Sequence, residues 1–324
     1  MKEINGFDYG VVMPVLIAFA ISVVLCPIFI PFLKKLKFGQ FVRDDGPEAH
    51  LKKTGTPTMG GIIILISIVL TSVLYIKDNR EILPVLFVTL GFGVIGFLDD
   101  YIKVVMKRSL GLRAWQKMLG QILVTGIFAY YFLKVIHFGT EIILPFTHGK
   151  TWDLGLLFVP FLFVVVLGTV NGVNFTDGLD GLASSVTVLV ATFFTVVAIG
   201  TGSGISPITC AVVGSLLGFL MYNVYPARVF MGDTGSLALG GFVASSAIML
   251  KMPLFIVIVG LIYLTEVLSV IIQVVYFKAT HGKRFFKMAP IHHHFELSGW
   301  PETKVVAVFA IVTAVLCLIG LAAM

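Results

Sequence analysis

Apolar runs of about 20 residues, the length that crosses a hydrocarbon core, recur along the chain and are separated by short polar connections. They fall at Val11–Leu33, Met59–Ile76, Ile82–Ile102, Leu119–Leu133, Leu154–Val170, Leu182–Ile199, Ser206–Tyr222, Ser236–Leu250, Pro253–Phe277 and Val305–Leu321. The pattern predicts an all-α polytopic membrane protein of ten transmembrane helices, built as a single integral membrane domain over residues 1–324. An even number of spans puts both termini on one side. The segment His137 to Asp153 is the longest connection on that side and reads as an ordinary loop or hairpin. No solenoid-period repeat and no low-complexity segment interrupts the alternation.

Composition agrees. The chain is 58% hydrophobic and 12% charged, against about 25% charged for soluble domains. Cys26, Cys210 and Cys317 all lie inside apolar runs, which argues against a disulfide framework or a metal site and for helix or lipid packing. The first apolar run is long enough to span, so no cleavable signal peptide is expected.

Charge orients the stack. Lys34, Lys35, Lys37, Arg43, Lys52, Lys53, Lys103, Lys107, Arg108, Arg113, Lys117, Arg228, Lys278, Lys283, Arg284, Lys287 and Lys304 fall in the odd-numbered connections. The other side holds only Lys2, Lys77, Arg80, Lys134, Lys150 and Lys251. The excess of basic residues on cytoplasmic loops makes the odd connections cytoplasmic and both termini external. The net charge of +6 therefore reports topology, and nucleic acid is not expected as a partner.

The polar constellations sit on that cytoplasmic side. Asn171 to Gly181 reads N-G-V-N-F-T-D-G-L-D-G between two spans, with Asp177 and Asp180 spaced to share one face of a helix start. The same residues also make an ordinary turn. Asp99 and Asp100 close the third span in G-F-L-D-D-Y-I-K. Neighbours on a helix point about 100° apart, so the pair does not easily share one role. Lys103 lies four residues from Asp99, in reach of its charge. A solvated helix end is the competing reading, although acids at a helix C-terminus oppose its dipole.

Phe230 to Ser236 reads F-M-G-D-T-G-S and leads into the eighth span. It suits a helix N-terminus and also an anion site, but no G-K-[ST] follows, so a Walker loop is excluded. His292, His293 and His294 are consecutive and cannot all face one centre, which disfavours a zinc site made of all three. Glu266 and Gln273 share a face of the ninth span; an intramembrane acid implies function, with helix pairing as the alternative. Gly55 to Gly61, beside Lys52 and Lys53, suits a helix start. Asp99, Asp100, Asp177, Asp180 and Asp233 in a basic rim are what Mg²⁺-dependent phosphoryl transfer requires.

The motifs N-x-x-N-F-T-D-G-L-D-G, G-F-L-D-D-Y-I-K, F-M-G-D-T-G-S, T-P-T-M-G-G and M-A-P-I-H-H-H-F-E together resemble the phospho-N-acetylmuramoyl-pentapeptide transferase family over nearly the whole chain. The acidic motifs are shared with the wider polyprenyl-phosphate sugar-1-phosphate transferases; the triple histidine with its flanks points to the muramoyl branch. The resemblance implies transfer of phospho-MurNAc-pentapeptide from UDP-MurNAc-pentapeptide to undecaprenyl phosphate, giving lipid I and UMP. It implies Mg²⁺, a homodimer, the bacterial plasma membrane and a cytoplasmic active site.

On matching positions, Asp233 is the expected Mg²⁺ ligand; the expected catalytic residues are Asp233, Asp99 and Asp100 at the lipid phosphate, and His292 at the donor. His293, Asn174, Asp177, Asp180, Asn223, Phe230 and Gln273 are expected around the donor, and Lys53, Thr58, Lys103 and Lys117 in the substrate-binding rim. Undecaprenyl phosphate is largely dianionic at neutral pH, since a phosphomonoester's second pKa is about 6. Direct attack on the β-phosphorus is therefore favoured over an aspartyl intermediate. The alternatives are a UDP-GlcNAc:undecaprenyl-phosphate transferase, a transporter or flippase, and a histidine-rich metal sensor. A transporter site is expected near the bilayer midplane, and a sensor leaves the aspartates unexplained.

Overall fold

The computed structural model describes residues 9–35, 53, 55–104, 106 and 111–324. Lys2, Lys37, Arg43, Lys52, Lys107 and Arg108, which enter the charge asymmetry, lie outside the described residues. The chain forms helices α1 (Tyr9–Lys35), α2 (Gly61–Val73), α3 (Ile82–Val104), α4 (Ala114–Tyr130), α5 (Phe158–Thr176), α6 (Leu182–Gly200), α7 (Ser206–Asn223), α8 (Gly232–Met249), α9 (Ile256–Val259), α10 (Leu261–Ala279), α11 (Ile291–Glu296) and α12 (Glu302–Ala322).

Among the described residues, eight helices are long and apolar enough to cross a membrane. The other two expected spans have a physical reason for falling short. Helix α2 has 13 residues, about 20 Å at 1.5 Å per residue, and gives way to turns from Leu74 on. Helix α8 has 18 residues but is enclosed by its neighbours, buried at every position from Thr234 to Met249. A helix with no lipid-facing side needs small residues more than apolar ones, and Gly240, Gly241, Ser245 and Ser246 supply them.

Two further differences concern local shape. The expected ninth span breaks at Gly260, between α9 and α10. The fold is also not wholly helical: Glu141–Ile143 and Thr151–Asp153 pair antiparallel, with Glu141 opposite Asp153, and form the hairpin β1–β2. Its strand residue Ile143 donates to the Lys251 carbonyl, and Phe146 in its loop donates to that of Ala323 (both 2.7 Å). The hairpin thus ties together the C-terminal ends of α8 and α12.

Helix α8 is the axis of the bundle, packed along α3 and α5 and touching α2 and α6. The start of α8 is fixed at the face opposite the hairpin. Phe230 donates to Pro57 O, Gly60 to Phe230 O and Gly61 to Met231 O, each at 2.8 Å, so the T-P-T-M-G-G segment clips the chain just before α8. On the other flank, a Cβ at Gly96 of α3 would lie 2.1 Å from the Asp233 carbonyl oxygen. Only glycine lets α3 come that close. The three cysteines are free and buried.

Candidate active site

Four helix ends meet where α8 begins. Asp99, Asp100 and Lys103 come from the last turns of α3, Lys117 from the first turn of α4, Asn174 from the end of α5, and Asp233 from the first turn of α8. Ligand atoms of Asp99, Asp100 and Asp233 lie within 4.8 Å of one another. Asp99 and Asp100 are almost wholly buried. Like charges this close repel unless cations intervene, and two lysines do. Lys103 Nζ lies 2.5 Å from Asp99 Oδ2 and 2.9 Å from Asp233 Oδ2. Lys117 Nζ lies 3.0 Å from the same Asp233 oxygen. Asn174 Nδ2 donates to Asp233 Oδ1 at 2.9 Å and to Ser236 Oγ at 2.8 Å.

The adjacent acids of α3 have separate partners, as their angular offset requires. Asp100 accepts from the amides of Asp233 (3.2 Å) and Thr234 (2.9 Å) and from the Thr234 hydroxyl (2.6 Å). It thereby satisfies the open amides of α8's first turn from another helix and faces that helix's positive end. Asp99 accepts from the Leu112 amide at 2.7 Å and pairs with Lys103. Asp233 is therefore the hub, Asp99 its neighbour across Lys103, and Asp100 the anchor of α8. Thr58 borders the same point: a Cβ at Gly232 would lie 2.8 Å from its Oγ1 and 2.7 Å from Asp100 Oδ2.

Asp177 follows α5 and lies beside this cluster. Loss of hydration, followed by the charges of Asp233 and Asp100, pushes its carboxyl well above the usual carboxylate range, and the Gly232 amide offsets this only in part. Asp180, three residues on, points elsewhere. Its Oδ1 takes Lys53 Nζ at 2.7 Å and its Oδ2 the Ala227 amide at 2.8 Å. Glu302 accepts from both Lys53 (2.6 Å) and the Asp180 amide (2.6 Å). Burial opposes the charge on Lys53, but its bonds to Asp180 and Glu302 outweigh it and raise the lysine's pKa. Glu302 carries no sequence signal beyond that of an acid in a first helical turn.

Other expected donor residues also bond to the protein. Asn223 donates to Val229 O (3.0 Å) and accepts from Ser184 (2.8 Å). Gln273 accepts from the amides of Phe285 (3.1 Å) and Phe286 (2.9 Å). Phe230 is partly buried within the clip before α8. His292 pairs with Glu266 at 3.1 Å, His293 with Glu296 at 2.8 Å, and His294 accepts from the Lys287 amide at 3.1 Å. Three consecutive imidazoles thus face three partners.

Sequence reasoning did not find the pair beneath the cluster. Asn171 Nδ2 donates to Gln121 Oε1 at 2.9 Å, with a longer return contact of 3.4 Å. It lies four residues past Lys117 on α4 and three before Asn174 on α5, so it sets the register of both.

The donor set suits a hard divalent cation. Three carboxylates converge, soft ligands are absent from the cluster among the described residues, and the lysine ends that separate the acids are on flexible stems, Lys103 with a side chain 40% exposed. Oxygen-only ligation with room for phosphate oxygens is the pattern for Mg²⁺.

A helical membrane bundle with acidic and basic groups gathered at one end has the architecture of an interfacial phosphosugar transferase. Residues 82–251 match the family described as Glycosyl transferase family 4. Residues 53–65 match the phospho-N-acetylmuramoyl-pentapeptide-transferase signature 1. A phospho-N-acetylmuramoyl-pentapeptide-transferase of Clostridium kluyveri is 54% identical over 96% of this chain and 98% of its own length. Those of Acetivibrio thermocellus (57%, over 94% of this chain and 92% of the relative) and Clostridium perfringens (50%, over 98% and 99%) are similar throughout. The chain belongs to the phospho-N-acetylmuramoyl-pentapeptide-transferase family. It is a bacterial membrane protein and an enzyme of the glycosyl-phosphate transferase class.

Proposed function

We propose that the protein transfers phospho-MurNAc-pentapeptide from UDP-MurNAc-pentapeptide to undecaprenyl phosphate, forming lipid I and UMP in peptidoglycan synthesis. The observation that carries the reading is the convergence of Asp99, Asp100 and Asp233 within 4.8 Å, beside Lys103 and Lys117. Full-length similarity to relatives that bear this activity's name supports the substrates.

Asp233 and Asp99 would hold Mg²⁺, with Asp100 fixing α8 beneath them. Bound there, the ion offsets charge on the transferring phosphoryl group. Lys103 and Lys117 share one oxygen of Asp233, so each has an ammonium group to turn toward phosphate oxygens of the substrates. A phosphate oxygen of undecaprenyl phosphate forms a bond to the β-phosphorus while the bond from that phosphorus to the bridging oxygen breaks, and UMP leaves with the oxygen. The acceptor is already largely dianionic, so Asp99 positions rather than deprotonates it. A covalent phospho-MurNAc adduct trapped on Asp99 would contradict this route.

Thr58, Asn174, Asp177, Phe230, His292 and His293 form the donor side in this reading. Lys53, Asp180, Asn223 and Gln273 shape it as framework, Lys53 and Asp180 with Glu302 and the Ala227 amide, Asn223 with Ser184 and Val229, and Gln273 with the Phe285 and Phe286 amides. We also propose ten membrane crossings with both termini external, a single domain, the site on the cytoplasmic face and a homodimer. Native mass spectrometry from mild detergent tests the last. The activity test is UMP release in detergent from UDP-MurNAc-pentapeptide and undecaprenyl phosphate, with and without Mg²⁺, beside Asp233→Ala. Mg²⁺-dependent release lost in the variant supports the reading; release from UDP-GlcNAc alone overturns the substrate.

A further inference from the structure

Glu266 lies within α10, fully buried, in a helix long and apolar enough to cross a membrane. A carboxylate in such a segment is costly and is kept where a partner or a function requires it. Both its oxygens lie 3.1 Å from Nδ1 of His292, 26 residues further on in the short helix α11. A carboxylate oxygen accepts from Nδ1 in the tautomer that carries its proton there, and the paired contacts hold the imidazole from that side. The ring's orientation is thereby fixed.

The opposite ring nitrogen is the unusual one. His292 is 1% exposed, yet its Nε2 has no hydrogen-bond partner. Leaving a buried polar atom unbonded costs about 1–3 kcal/mol, and such exceptions call for an explanation. Nε2 lies against Gly178, where an added Cβ would sit 2.1 Å away. Gly178 follows Asp177, whose carboxyl faces the Gly232 amide, and Gly232 precedes Asp233. The unbonded nitrogen therefore lies against the turn that links α5 to α6, next to the residue that follows Asp177. His293 pairs through Nδ1 with Glu296, and His294 accepts from the Lys287 amide.

We infer that Glu266 is a positioning residue: it acts through His292, holding the ring so that Nε2 is presented to a polar atom of the nucleotide-sugar donor. The arrangement follows the logic by which a carboxylate behind a metal-bound histidine fixes its tautomer and ring plane, with the donor in place of the metal. The inference rests on the proposed reaction and on His292 touching the donor.

The test compares Glu266→Leu, Glu266→Gln, His292→Ala and the Glu266→Leu/His292→Ala double variant in the UMP-release assay, varying donor and lipid acceptor separately. Leucine fills the space without accepting a hydrogen bond. It is expected to lower kcat/KM for the donor roughly 10–100-fold, the range for removing the carboxylate behind a ligating histidine, with the KM for undecaprenyl phosphate unchanged. Glutamine, whose Oε1 still accepts from Nδ1, should recover most of that loss, and the double variant should be no worse than His292→Ala. A folded Glu266→Leu enzyme with unchanged donor kinetics would overturn the inference. So would equal losses for donor and acceptor together with a lowered Tm, the sign of a purely structural role. If His292→Ala itself leaves donor kcat/KM intact, the assignment of His292 falls and the inference with it, while Mg²⁺-dependent UMP release leaves the reaction standing.

Discussion

Two clusters of lysines and carboxylates lie at the same end of the bundle. In one, Lys53 bridges Asp180 and Glu302. In the other, Lys103 and Lys117 separate Asp99 and Asp233, with Asp100 adjoining. The first is closed: backbone amides of Ala227 and Asp180 occupy the carboxylates that Lys53 does not saturate. It joins the connection after α5, the segment after α7 and the start of α12. The second brings three acids to one point, with Lys103 and Lys117 between them. What separates the staple from the site is the central acid: Asp180 is held in part by the Ala227 amide, whereas Asp233 accepts from the side chains of Lys103, Lys117 and Asn174.

The largest expected effect breaks the open cluster. Asp233→Asn keeps the shape and hydrogen-bonding size but removes the charge on which both lysines converge. UMP release should fall about 10²–10³-fold, the scale on which one preorganised transition-state partner is felt, while Tm in detergent holds. Breaking the closed cluster should do the reverse. Lys53→Met leaves Asp180 and Glu302 facing each other without their cation, and should cost about 3 kcal/mol of stability, read as a lowered Tm. Residual activity at low temperature should exceed that of Asp233→Asn.

Geometry without charge gives a smaller effect. Gly96→Ala places a methyl group 2.1 Å from the Asp233 carbonyl oxygen, forcing α3 and α8 apart and separating Asp99 and Asp100 from Asp233. A loss of roughly 10² in kcat is expected, since misplacement by about 1 Å reaches that size. The smallest change sharpens the comparison at its base. Gln121→Leu removes the amide pair with Asn171, worth about 0.6 kcal/mol for hydrogen bonds between membrane helices. Its mark should be a modest weakening of Mg²⁺ activation, because Lys117 and Asn174 lose their shared register.

These differences explain which parts of the molecule were legible in the sequence. Asp99 and Asp100 stood out because acids that close an apolar run are conspicuous; Asp233, like Glu302 an acid in a helix's first turn, was marked only by its F-M-G-D-T-G-S motif and the family resemblance, and all three aspartates meet at the site. Glu302 did not stand out, because an acid in a helix's first turn needs no special explanation; its bond to Lys53 spans 249 residues. Asp180 looked like the twin of Asp177 by spacing, but the turn between α5 and α6 sends it to Lys53. The His292–Glu266 contact was hidden for the same reason: both residues were visible, their pairing across the fold was not. Span counting by hydropathy works where a helix faces lipid, and α8, enclosed on all sides, is where length and hydropathy part.

The most direct test of the open cluster is a titration with Mn²⁺ as a spectroscopic stand-in for Mg²⁺, following free ion by electron paramagnetic resonance in wild type, Asp233→Asn and Glu302→Gln. Wild type and Glu302→Gln should each bind an ion that Mg²⁺ displaces, and Asp233→Asn should bind none. Retention of the displaceable ion by Asp233→Asn, or its loss in folded Glu302→Gln, would contradict the division between site and staple.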